Sequence, residues 1–260
     1  MPTFFLFGIL LLTSGLAAAQ DHILSRAYFE DSTGRTALQS LPEDRFQAFS
    51  GILSKGYSAS VFWVRLRIDA PSSGGSPYIL RIQPNFLDEI ALYDPASGNL
   101  EPRWGGDETR GNDSYRSLNI NFTLAPRDLP RDIWLRIKTS STFLFDAQVL
   151  TFDGIAATDL KQSLTSGFYV ALISLYIVWG VLHWWSSKDP IIGIFTFKEV
   201  LCLMYVIGYL GYFSVIWPVD WQLRPGALVD LSLAPYVAAS CYFDYRLLRE
   251  YRPNRALLNL

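Results

Sequence analysis

Apolar and polar positions fall into three regimes along this chain. Residues 4–12 are a short, dense apolar run, followed by the small residues Ala17, Ala18 and Ala19. From residue 20 to about residue 153 the apolar positions come in short segments divided by turn residues. The segment VFWVRLRI at 61–68 is β-branched and aromatic and alternates towards its end, as a half-buried strand does. A turn cluster, PSSGGSP, occupies 71–77; strand character returns at 78–82 and 89–93, and the turn DPASG closes it. Residues 118–124, 133–138 and 143–150 supply three more strand segments. No helical stripe of ten residues interrupts them, so the pattern predicts an all-β sandwich and not a parallel βαβ sheet.

The third regime is long-range apolar sequence between 165 and 247. Residues 166–182 contain no Asp, Glu, Lys, Arg or His and lead into His183, Trp184 and Trp185, aromatics suited to the lipid headgroup level. Further apolar segments span about 194–217, with Lys198 and Glu199 near the start, and about 227–247, interrupted by Asp230 and Pro235. Three transmembrane helices are therefore predicted (about 166–185, 194–217 and 227–247), each near the roughly 20 residues a bilayer requires. The run at 4–12 is too short to span. With its small-residue exit it reads as a signal peptide over 1–19, although no Lys or Arg precedes it, and an uncleaved anchor is the alternative. Either reading exports the sandwich at 20–153.

Composition sharpens this picture. Half of the chain is apolar and only 18% is charged, whereas a soluble domain carries about a quarter. The charges concentrate between residues 21 and 161 and in the last fifteen residues. A net charge of −2 gives no reason to expect nucleic acid. Arg246, Arg249, Arg252 and Arg255 mark the C-terminal end, with the basic tail 248–260, as cytoplasmic under the positive-inside rule. Three crossings from an exported domain end on the same side. Cys202 and Cys241 lie in apolar runs and read as small hydrophobes, so neither a disulfide framework nor a zinc site is expected. Asp230, near the outer end of its span, reads as solvated, with a proton or ion role as the alternative.

Catalysis finds no support. The exported region holds one histidine, His22, and neither a phosphate loop nor a His/Cys cluster; no cofactor is implied. The neighbouring carboxylates Asp88-Glu89 and Asp107-Glu108 would point to opposite faces of a strand. Binding has better candidates. Arg103, Trp104 and Asp107 lie in a Gly-rich loop, with Arg116 further on, a set able to stack a sugar ring or hold an acid. The alternative for Trp104 is a plug at one end of the sandwich. Trp63 and Trp134 sit within strands and read as core.

Asp31-Ser32-Thr33-Gly34, the stretch KGYSASVFWVRL at 55–66, NFLDEIALY at 85–93, Gly106-Asp107 and IWLRI at 133–137 together resemble one family. It is the type 2 extracellular domain of bacterial seven-transmembrane receptors with diverse intracellular signalling modules. The resemblance implies a jelly-roll sandwich akin to carbohydrate-binding modules, in the bacterial inner membrane with the domain periplasmic. It also implies coupling to a cytoplasmic kinase or cyclase, and it adds Trp63, Arg65, Asp88, Tyr93 and Asp107 as site candidates. The given sequence stops at Leu260, before four spans and the output module that the family pattern leads one to expect, so the chain is read either as a fragment or truncated product or as a protein that pairs with another. The expected function is the sensory input portion of a receptor, its partners the lipid bilayer, a periplasmic small molecule or glycan, and a separate kinase or cyclase. The rival is a non-signalling envelope protein that uses the sandwich to hold a glycan or another protein.

Overall fold

The computed structural model describes residues 20–70, 77–98, 101–106, 115, 117–212 and 225–250, and the expected signal peptide at 1–19 lies outside them. The chain divides into two compact units, Met1–Gln162 and Ser163–Leu260.

The first unit is a two-sheet antiparallel sandwich. Its strands are β1 (Ile23–Asp31), β2 (Gln47–Ala48), β3 (Leu53–Tyr57), β4 (Val61–Ile68), β5 (Tyr78–Gln83), β6 (Glu89–Tyr93), β7 (Arg103–Gly105), β8 (Ile120–Leu124), β9 (Arg131–Lys138) and β10 (Thr142–Thr151). One sheet has the order β2-β1-β4-β9-β6-β7 and the other β3-β10-β5-β8. From β3 onwards the chain changes sheet at every connection except β6 to β7. The alternation seen in the sequence sets which side chains meet. Phe62, Val64, Leu66 and Ile68 of β4, with Ile133, Leu135 and Ile137 of β9, point inward from the larger sheet. Leu80 and Ile82 of β5 and Phe143, Phe145, Ala147 and Val149 of β10 meet them from the smaller. Phe62 and Phe143 bring their rings to 3.9 Å across this core. The unit contains no disulfide among the described residues, so apolar burial of this kind must hold it together.

The expected strands at 61–68, 78–82, 89–93, 118–124, 133–138 and 143–150 all appear with small shifts at their ends. Four strands are additional. β1 carries charges at Arg26 and Glu30 that break its alternation, β2 and β7 are too short to show a period, and β3 is polar with Gly56 inside it. Arg103 and Trp104, expected in a loop, lie on the edge strand β7.

Helices follow: α1 (Phe152–Ser187), α2 (Pro190–Tyr209) and α3 (Pro225–Glu250). α1 and α2 are long and apolar enough to cross a membrane. α1 starts directly after β10, well before residue 166, and its first eleven residues belong to the sandwich unit. The turn between α1 and α2 ends where Asp189 caps α2, accepting from the Ile191 amide at 2.8 Å, with Pro190 in the first turn. Lys198 and Glu199 therefore sit midway along α2, paired at 2.7 Å, and not near its start. α3 packs on α2 and carries Asp244, Arg246, Arg249 and Glu250 in its second half. Cys241, read from the sequence as a small hydrophobe, lies on the surface of α3. The side chain of Asp230 lies outside the described residues.

Candidate functional site

Strand pairing arranges the outer face of the six-stranded sheet into rows. Since the even positions of β4 enter the core, Val61, Trp63, Arg65 and Arg67 face the other way. On β9 that face holds Asp132, Trp134, Arg136 and Lys138; on β6 it holds Glu89, Ala91 and Tyr93. Register then links Phe29, Trp63, Arg136, Ala91 and Trp104 across five strands. The neighbouring row is Ala27, Arg65, Trp134 and Tyr93. At strand spacing the first row extends over roughly 20 Å. Ala91, fully buried in the middle, is the one small residue between large ones.

Aromatic rings and guanidinium groups dominate this surface. The rings of Trp63 and Tyr93 lie 5.5 Å apart. Trp63 is only 1% exposed, and its indole nitrogen has no hydrogen-bond partner. A buried N–H without a partner is uncommon and invites an explanation. The Arg65 guanidinium lies 5.2 Å from the centre of the Phe46 ring, a cation–π arrangement. Arg136 donates to Glu89 at 2.7 Å and to the Gly34 carbonyl at 3.4 Å. Trp104, at the edge, is 42% exposed. It is not a plug between the sheets; its ring is presented at the edge of the aromatic face.

The segment after β1 is fixed by one carboxylate. Asp31 is buried and accepts from the Thr33 amide (3.0 Å), the Thr33 hydroxyl (2.6 Å) and the Thr36 amide (2.8 Å). Burial alone would raise its pKa, but the hydrogen bonds from Thr33 and Thr36 outweigh it and hold the group well below the usual carboxylate range. This turn sets Gly34 at φ +66° with its carbonyl towards Arg136. The Asp-Ser-Thr-Gly stretch read from the sequence thus folds the loop against the face that carries Trp63 and Arg136.

The remaining candidates separate. Asp88 accepts from the amide (2.5 Å) and hydroxyl (2.7 Å) of Ser140 and from Thr139 at 3.4 Å. It ties the start of β6 to the β9–β10 turn and leaves the ligand surface to others. Arg103 turns off the aromatic face: it donates to the Thr123 carbonyl at 2.7 Å and lies over the Phe122 ring. Asp107 and Arg116 lie outside the described residues. Of the sequence candidates, the structure brings Trp63, Arg65, Tyr93 and Trp104 onto one face. Trp134, expected in the core, is half-buried on that same face. Sequence reasoning missed Phe29 and Arg136, though the alternation within 131–138 carried the signal for the latter. Among the described residues no group of His, Cys, Asp and Glu is placed to hold a metal ion.

Comparison with known families places the sandwich. Residues 25–151 match the family model described as 7TMR-DISM extracellular 2. No curated protein matches the chain.

Proposed function

We propose that this chain is the membrane-embedded sensory input portion of a bacterial receptor, on the premise that residues 25–151 match the 7TMR-DISM extracellular 2 family model. The domain stands outside the membrane at the N-terminal side of two helices able to cross it. In the proposed topology α3 makes a third crossing and delivers Arg246 and Arg249 to the cytoplasmic side, where a kinase or cyclase module would read the signal. Two arguments support this orientation: the arginine bias at the C-terminal end and the parity of three crossings from an exported domain.

The observation that carries the ligand reading is the registered aromatic and arginine face of the six-stranded sheet. Solvent-side faces of antiparallel sheets are ordinarily polar. Here Trp134, Tyr93 and Trp104 share the face with Arg65 and Arg136, with Trp63 buried among them. Rings of this kind stack on sugars, and guanidinium groups take carboxylates in paired hydrogen bonds. A glycan or cell-wall fragment, or a small molecule bearing an acid group, fits that chemistry.

The test is a thermal-shift screen of residues 20–162 against sugars, wall fragments and organic acids. A ligand that prefers the folded state raises the melting temperature. Trp104→Ala should abolish the rise while leaving the unliganded melting temperature in place. No rise with any compound in a folded sample overturns the small-molecule reading.

A further inference from the structure

The outer face of the other sheet is covered by the start of α1. Ile79, Arg81 and Gln83 of β5, Gln148 and Leu150 of β10, and Asn119 and Asn121 beside or on β8 occupy it by alternation. Onto this surface α1 lays Ile155, which is fully buried against Ile79 and Leu150. It is the only buried residue among 152–162. The other contacts are polar and centre on Arg81, itself 5% exposed. Its guanidinium approaches Asp159 at 3.4 Å, donates to Gln148 at 3.3 Å and also donates to Gln162. Tyr115 donates to Asp159 at 3.0 Å, and the Asn119 amide lies 2.9 Å from Gln162 and 3.4 Å from Asp159. Burial lowers the Arg81 pKa from its ordinary value, with Asp159 opposing. Tyr115 is pushed up to about 12 by burial and by its bond to Asp159.

Two attachments therefore hold the start of this helix. One is covalent, where β10 passes into α1 without a loop and the Thr151 hydroxyl accepts from the Gly154 amide at 3.2 Å. The other lies seven to ten residues on, about 10–15 Å along the helix, and engages the neighbouring strand β5. Two points on two adjacent strands fix the direction of a rod; one point leaves it free to swing. The second attachment also has the composition of a reversible joint. A buried ion pair adds little net stability over an apolar replacement, yet loss of either partner is strongly destabilising. Its polar groups can return to water on release, and polar interfaces within a chain are the ones that open.

We propose that the Arg81–Asp159–Gln162 cluster is a latch that docks the root of the first transmembrane helix on the four-stranded sheet and opens as a local event, without unfolding the sandwich. A shift of β5 against β10 would then be converted into a change in the direction of α1. The use of the latch in signalling rests on the sensory reading above; its existence does not, and it is tested without any ligand.

The experiment measures thiol labelling by a charged maleimide in the full chain, reconstituted in lipid nanodiscs, with Cys202 and Cys241 replaced by Ala. Ile155→Cys places the reporter under the latch, and Ala147→Cys, in the core of the sandwich, serves as control. Arg81→Met and Asp159→Asn should each speed labelling of the Ile155→Cys thiol by at least about tenfold, because losing one partner of a buried ion pair strongly weakens the docked state. The control thiol should keep its rate. Combined, the two changes should add little beyond either alone, since they remove one shared interaction. Asp159→Asn, which alters charge and little else, carries the test alone where Arg81→Met does not fold. Unchanged labelling at the reporter overturns the latch. Parallel acceleration at both thiols also overturns it, by making the cluster part of the global fold. A failed ligand screen with latched behaviour intact would sink the ligand reading and leave this one standing.

Discussion

Substituting Asp31 by Asn changes the charge of one buried group and almost nothing of its shape. The carboxylate takes three hydrogen bonds, two from the backbone amides of Thr33 and Thr36 and one from the Thr33 hydroxyl. Bonds to a charged group contribute about 1.5–3 kcal/mol each. An Asn that keeps its oxygen towards Thr33 turns an NH2 group towards the Thr36 amide, so one bond is lost and the other two become neutral. A net loss of about 2 kcal/mol at pH 7 follows, or a fall of about 5–10 °C in melting temperature for a domain of this size. The loss should depend on pH. Because the folded-state pKa of Asp31 lies below that of the unfolded chain, its contribution is complete above the ordinary Asp value of about 3.9 and fades as pH falls towards the folded-state pKa. Urea unfolding of residues 20–162, followed by tryptophan fluorescence at pH 7 and at pH 3, reads both effects. A variant as stable as wild type at pH 7 would refute the staple. A deficit of equal size at both pH values would refute the electrostatic account of it.

Three further outcomes follow from the geometry. Gly106→Ala should destabilise the sandwich by about 2–3 kcal/mol, because a Cβ there would stand 2.5 Å from the Asp88 carbonyl oxygen at φ +119°; a urea midpoint equal to wild type would contradict this. A fragment ending at residue 151 should melt about 5–10 °C below one ending at 162, since it uncovers Ile79 and Leu150 and discards Ile155; equal melting would mean the helix root does not dock. Trp104→Ala should shift unliganded stability by no more than about 0.5 kcal/mol, given its exposure at the edge of β7, and a collapse of the domain would return Trp104 to a structural role.

The sandwich was legible in the sequence where strands alternate cleanly, as β9, β10 and the second half of β4 do. It was illegible where an edge position or a mixed charge pattern removed the period. β1 is a central pairing partner of β4, yet Arg26 and Glu30 hide its alternation. Trp63 and Trp134 illustrate a deeper limit. Strand periodicity separates two faces but cannot say which of them meets the second sheet when both carry large apolar residues, as in Val61 to Val64. Burial of Trp63 was correctly expected, but on the face away from the core. The Arg81–Asp159 pair was invisible for another reason: its members lie 78 positions apart and only the docking of α1 brings them together. The start of α1 was hidden as well, since its first turns are polar and gave no apolar run to mark them.

The alternation of the chain between sheets has a bearing on how the domain comes into being. Apart from β1–β2 and β6–β7, no strand pairs with its neighbour in sequence. Few short hairpins can therefore form early, and the closing strand β10 must insert between β3 and β5, partners that come far earlier in the chain. Topologies dominated by distant pairings fold slowly. β10 is also the last segment before α1. A chain emerging from its N-terminus would hold an open, unpaired β5 edge until the residues next to the membrane arrive, so completion of the sandwich is timed by delivery of the helix it is attached to.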